Sequence, residues 1–139
     1  MANEWFLDSS YAIALAASSD QLHDRAIRLA DELEKQPRQL ITTRAVLFEI
    51  GNALSKQRYR EAASNLLASI ESDPTIKIIE ITRDIYRTAL ALFISRPDKD
   101  WSLTDCMSFE IMRDLRLTEA LTADIHFEQA GFRVLLRET

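Results

Sequence analysis

The apolar positions fall into two patterns that take turns along the chain. Short runs without alternation, Trp5-Phe6-Leu7, Gln39-Leu40-Ile41-Thr42, Ile76 to Ile81, Leu117 to Thr122 and Phe132 to Leu136, read as buried strands. Between them, apolar residues recur at helical spacing. Ser9-Ser10 opens a short helix over Tyr11–Ala17, and Ser19 or Asp20 caps a long one to about Gln36, carrying Leu22, Ala26, Leu29 and Leu33. Further helices are predicted from Arg44 to about Lys56, from about Tyr59 to Glu71, and from Asp84 to Ile94 behind the Thr82 cap. Ser102 opens another, with Asp105 three residues on in a capping-box arrangement. A last short helix, Asp124 to Gln129, ends at Gly131 in a left-handed cap.

Strands alternating with helices predict an α/β fold: three layers, α/β/α, around a parallel five-stranded sheet. Residues 1–139 read as a single domain, a length sufficient for one core. Two glycines and three prolines leave little turn chemistry for an all-β chain. The lone Cys106 excludes an internal disulfide and reads as a small buried hydrophobe. Met1 to Asp8 has no basic segment or long apolar core, so no signal peptide is expected, and no apolar run reaches a membrane span. A cytoplasmic protein is the expectation. The formal charge of -5 argues against nucleic-acid binding through a whole-surface field, but not against basic residues grouped on one face.

The carboxylates change the picture. In open α/β sheets, ligands bind at the carboxyl ends of strands, near the point where strand order reverses. Asp8 ends the first strand and Asp124 follows the fourth. With an order of 3-2-1-4-5, strands 1 and 4 are neighbours and these two acids face each other. Asp105 lies in the first turn of the helix leading into strand 4, and Glu49 on the helix after strand 2. Four carboxylates brought together repel one another unless a cation neutralises them. An oxygen-rich set without cysteine favours Mg²⁺ or Mn²⁺ over Zn²⁺. Such an ion suits hydrolysis of a phosphodiester.

Four stretches resemble the PIN-domain family, in particular its VapC-type toxin ribonucleases. Phe6-Leu7-Asp8-Ser9-Ser10 is similar to the family's opening strand and first acid, and Thr42 to Glu49 to its second motif. Ser102-Leu103-Thr104-Asp105 is similar to the third, and Thr122 to Phe132, with its closing Gly-Phe, to the fourth. The resemblance covers nearly the whole chain. It implies an endoribonuclease that uses Mg²⁺ or Mn²⁺, with catalytic acids Asp8, Glu49, Asp105 and Asp124. Asp8 and Asp105 are the main metal ligands in this reading, and Glu49 and Asp124 complete the cup. It also implies a homodimer and a small antitoxin protein that blocks the site.

Around that set, Ser10, Ser102 and His126 are supporting candidates, set against ordinary roles as caps or a structural histidine. His23 reads as surface and Glu128 as a solvated acid. Arg96 and Lys99 are the expected RNA contacts, with Lys56, Arg58 and Arg60 as a second basic group and Tyr59 available for stacking. Phe48, Leu66, Leu67 and Ile70 supply either core or a surface for a second copy or an antitoxin. Competing functions are a nuclease that processes RNA or DNA, a catalytically silent PIN binding module, and a receiver domain. The last needs paired acids early in the chain and a lysine after the fifth strand, where Ser9-Ser10 and Arg137 stand.

Overall fold

A computed structural model describes residues 3–138. Its strands are β1 (Trp5–Leu7), β2 (Leu40–Thr43), β3 (Ile76–Ile79), β4 (Glu119–Leu121) and β5 (Arg133–Val134). Its helices are α1 (Ser9–Ala16), α2 (His23–Lys35), α3 (Arg44–Ala53), α4 (Arg60–Ser72), α5 (Arg83–Ser95), α6 (Leu103–Asp114) and α7 (Ile125–Gln129). Short 3-10 turns occupy Gln57–Tyr59 and Leu135–Arg137. The five strands form one parallel sheet in the order β3-β2-β1-β4-β5, as expected.

Strand order decides where the helices go. The chain steps from β1 to β2 to β3 in one direction, then returns past β1 to β4 and β5. Right-handed crossovers therefore put α1 to α4 on one face and α5 to α7 on the other. The packing agrees: α1 lies against α2, α3 and α4, while α5 lies against α6, and α6 against α7. The reversal falls between β1 and β4, which pair through Phe6 with Ala120 and Leu7 with Leu121. Beneath this switch point the core is aromatic. Phe109 of α6 meets Phe127 edge-on at 5.0 Å and Trp101 at 5.1 Å, and Phe127 lies 6.1 Å from Phe6 of β1. These contacts hold the starts of α6 and α7 against the end of the central strand.

Several expected boundaries move, each for a local reason. β3 stops at Ile79 rather than Ile81, because its partner β2 ends at Thr43 and turns into α3. β5 is two residues long. Leu135 and Leu136 turn into a 3-10 segment that buries both, and Leu136 N–H donates to the Thr122 carbonyl. α2 begins at His23, three residues past Asp20. Asp20 Oδ1 accepts from Leu22 N–H at 2.8 Å, a local turn that competes with helix initiation. Ser9 and Ser10 lie within α1, whose N-cap position is Asp8. α3 ends at Ala53, short of Lys56. His23 is half-buried rather than surface, and its Nδ1–H donates to the Ala14 carbonyl at 2.8 Å, tying α2 to α1.

Gly131 behaves as expected, with φ at +99°. Gly131 N–H donates to Glu128 and Phe132 N–H to Phe127, the paired bonds of a Schellman motif ending α7. Among the described residues, no helix is long and apolar enough to cross a membrane.

Candidate active site

Three polypeptide turns converge at the carboxyl end of β1 and β4. Asp8 is buried directly after β1, and its N–H donates to the Leu121 carbonyl of β4 at 3.2 Å. Its Oδ2 accepts from Thr122 Oγ1 at 2.7 Å and from Ser10 Oγ at 3.4 Å. Thr122 Oγ1 also accepts from Asp124 N–H at 3.1 Å, and Ser10 Oγ from Ala123 N–H at 2.9 Å. The first and fourth acids are thus braced by one hydroxyl pair spanning the switch point. Ser10 is a brace for the first acid, not a side-chain helix cap.

Asp105 arrives from α6. Ser102 Oγ accepts from Asp105 N–H, and Asp105 Oδ2 accepts from Ser102 N–H, both at 3.0 Å. This capping box holds the carboxylate in the first helical turn, in line with the sequence pattern. Asp124 caps α7, accepting from His126 N–H at 2.9 Å. His126 then closes the group. Its Nδ1–H lies 3.0 Å from Asp105 Oδ2 and 3.4 Å from Asp124 Oδ1. Ligand atoms of Asp105, Asp124 and His126 all lie within 4.8 Å of one another. Glu49 reaches in from α3, where its Oε1 accepts from Ser9 Oγ at 3.3 Å.

The electrostatics show four acids at one place. Burial is the main cause that lifts Asp8 from 3.8 to about 6, with repulsion from Asp105 and Asp124 adding to it against the hydrogen bonds from Thr122 and Ser9. Glu49 rises from 4.5 to about 7, first through burial and then through Asp8 and Asp105. Asp105 is also raised, chiefly by burial, while Ser102 and His126 partly offset the shift. Among the described residues, no lysine or arginine pairs with any of these carboxylates; the imidazole of His126 is the one basic side chain against them. Oxygen donors with one imidazole, crowded and short of positive charge, fit a hard divalent cation.

The other candidates fall outside this cup in different ways. Arg96 is bound to Asp98 through two hydrogen bonds of 3.0 and 2.9 Å, and its guanidinium lies 5.1 Å over the Trp101 ring. Lys99 is half-buried in the same loop. Arg58 covers the Tyr59 ring at 4.8 Å, so that face is not free for a base, and Arg60 is tied to the Ser55 carbonyl. Lys56 and Glu128 are exposed. Ile70 belongs to the core, Leu66 and Leu67 are half-buried, and Phe48 is 66% exposed beside Glu49. Sequence reasoning places neither Thr122 nor Ser9 in the site, and gives Ser9 only a part in opening α1. The available signal was a hydroxyl directly beside or two residues from an acid at a strand end.

The comparisons with known proteins agree with this geometry. A family model described as the PIN domain matches residues 5–133. VapC20 of Mycobacterium tuberculosis, described as a 23S rRNA-specific endonuclease, is 28% identical over 127 residues, spanning 91% of this chain and 94% of that protein. The crystal structure of that VapC20, a sarcin-ricin loop cleaving toxin, superposes with a TM-score of 0.82 at 27% identity, over 91% of this chain and 95% of the other. VapBC2 from Rickettsia felis shares the fold, with a TM-score of 0.67 at 15% identity, over 94% of this chain and 96% of the other.

Proposed function

The chain belongs to the PIN domain family, and we propose that it is a divalent-metal-dependent endoribonuclease, the toxin of a toxin–antitoxin pair. The observation that carries this reading is the convergence of Asp8, Glu49, Asp105 and Asp124 on one strand edge, with no lysine or arginine among the described residues to balance them. The whole chain, 1–139, is taken as one catalytic domain acting in the cytoplasm.

Asp8, Asp105 and Asp124 would hold the ion, Mg²⁺ or Mn²⁺. When bound, the ion supplies an acidified water and charge stabilisation for the phosphoryl oxygens. The remaining work belongs to the protein. Thr122 and Ser10 fix the rotamer of Asp8, and the capping box fixes Asp105. His126 donates across Asp105 and Asp124, keeping both oxygens turned toward the cup. Glu49, its pKa pushed up to about 7 by burial and repulsion, would serve as the proton acceptor at its carboxylate. The strand ends exclude bulk solvent from Asp8 and leave Glu49 on the open side.

The relatives narrow the choice of substrate and partner. VapC20 acts on 23S rRNA and its sarcin-ricin loop, so ribosomal RNA is the first substrate to try. An antitoxin protein as inhibitor and a homodimer as the working assembly belong to the same reading. Phe48, exposed beside Glu49, is available to either contact. Purified protein given labelled 23S rRNA and tRNA is expected to cleave with Mg²⁺ or Mn²⁺ and to stop in EDTA. Absence of cleavage with every metal would overturn the nuclease assignment. Growth arrest on expression, relieved by a co-encoded neighbour, separates a toxin from an RNA-processing enzyme.

Arg96 and Lys99 stand beside the start of α6 and are assigned to substrate phosphates. Replacing both with Glu should raise KM for RNA and lower the salt slope of binding by about 1.4, the single-strand value for two phosphate contacts. Part of the Arg96 charge is already engaged by Asp98, so a smaller change traces to that pair. An unchanged KM and slope would remove the loop from the RNA path.

A further inference from the structure

The opposite end of the sheet carries an arginine cluster with no part in the chemistry above. A cavity of about 480 Å³ lies where β1, β4 and β5 begin, walled by Trp5, Glu119, Arg133 and α2. Arg25, Arg28 and Arg38 line it with Arg133. Arg133 is fully engaged: it holds Glu119 at 2.6 Å and Glu138 at 2.5 and 2.7 Å. The other three are not. Among the described residues, none of Arg25, Arg28 and Arg38 forms an ion pair with a carboxylate. Arg38 lies 4.0 Å over the Trp5 ring, and Arg25 gives one hydrogen bond to the Leu135 carbonyl. The Nε atoms of Arg25 and Arg38 are buried and have no acceptor. A buried donor left without an acceptor is destabilising, so neither guanidinium is fully satisfied by the protein itself.

The cavity is also connected. A second one, of about 830 Å³, shares Arg25, Arg28 and Glu138 with it, adds Arg137, and reaches Ala123. Ala123 precedes Asp124 and its N–H is bonded to Ser10 Oγ in the acid cup. A trough therefore runs along α2 from the start of the sheet to the border of the candidate active site. With Arg133, Glu119 and Glu138 satisfying one another, four arginines remain along it against Asp24 and Glu32.

We infer that this trough is an RNA contact remote from the cleaved bond, in which Arg28 and Arg137, with the half-buried Arg25 and Arg38, hold backbone phosphates of the strand whose scissile bond lies in the acid cup. This rests on the ribonuclease reading. Guanidinium forks match phosphate oxygens, and Arg28 and Arg137 present theirs to solvent along the trough. Trp5 is buried and already covered by Arg38, so no base stacks there and the contact is independent of sequence. It also answers how a chain of charge -5 grips a polyanion: the grip follows one face.

The test is steady-state cleavage by Arg28→Glu/Arg137→Glu protein in Mg²⁺. Both side chains are exposed, and the milder Arg28→Gln/Arg137→Gln pair serves as the second variant. With a full 23S rRNA transcript, KM should rise roughly tenfold at unchanged kcat, and the salt slope of kcat/KM should fall by about 1.4. With an oligonucleotide trimmed to the cleaved bond and its nearest neighbours, KM should stay as in the parent. Equal changes for both substrates, or none for either, overturn the inference while the parent's cleavage keeps the ribonuclease reading intact. A parent that cleaves no RNA overturns both. Tripolyphosphate added as competitor should raise KM for the transcript in the parent more than in the variants. If tripolyphosphate binding depends on the two arginines but KM for RNA does not, the trough takes a free polyphosphate and the RNA assignment falls.

Discussion

Asp8→Asn protein is expected to lose metal-dependent RNA cleavage by more than about a hundredfold and to melt higher than the parent in metal-free buffer. The loss follows from where Asp8 stands. Removing a partner that merely orients a metal ligand costs about 10- to 100-fold, and Asp8 is assigned as a ligand itself. Asn keeps the shape and can still accept from Thr122 Oγ1, whose 2.7 Å bond sets the rotamer, so the site should not collapse. The gain in stability follows from the same burial. A carboxyl moved from 3.8 to about 6 costs the folded protein about 3 kcal/mol when ionised, and a neutral amide escapes it. The amide still gives up water, so a net gain of about 2 kcal/mol is the expectation. Initial rates in Mg²⁺, with melting curves in EDTA, measure both. A variant that keeps full activity removes Asp8 from the site; one that is inactive but less stable than the parent shows a structural acid.

The two halves of that prediction draw on different levels of information. That Asp8 ends a buried strand was legible in Trp5-Phe6-Leu7-Asp8, because three apolar residues in a row leave a following carboxylate at a strand edge. The parallel sheet follows from the alternation of element types, and the meeting of Asp8 with Asp124 from the switch-point rule once the order 3-2-1-4-5 is taken. The Ser102–Asp105 box was legible because both of its bonds are local. What local pattern does not carry is a partner far along the chain. Thr122 braces Asp8 across 114 positions, and His126 finds Asp105 across 21. Neither has a periodic signature, so Thr122 was assigned no role and His126 only a marginal one. The arginines of α2 were hidden for a related reason. On a helix they are an ordinary polar face, and only the neighbouring start of β5 and the turn after it make a cavity of them. Boundaries moved where a competing local bond won, as at Asp20, or where a partner strand ended, as at Ile79.

The second large effect concerns pH and metal together. Asp8 and Glu49 both have folded-state pKa values above their ordinary ones, about 6 and about 7. For an acid this sign means that the folded state binds protons more tightly than the unfolded state. Stability of the metal-free protein therefore falls as pH rises through the window from about 4 to about 7, and the full cost is present above it. Asp8 contributes about 3 kcal/mol at most. Glu49 is half-buried, and solvent screening makes its share smaller. Metal-free protein should melt on the order of 5–10 °C higher near pH 5 than near pH 7.5, given the size of the chain. Mg²⁺ or Mn²⁺ should reverse this. Near pH 7.5 the ionised cup binds the cation and the melting point rises with its concentration. Near pH 5 protons hold the same oxygens and the cation adds little. Asp8→Asn protein should show a flatter pH profile and a smaller response to metal. Scanning calorimetry of both proteins at the two pH values, in EDTA and in millimolar Mg²⁺, measures every arm. A parent whose melting point is level across the window carries no strained acids, and one that gains equally from Mg²⁺ at both pH values binds it somewhere other than this cup.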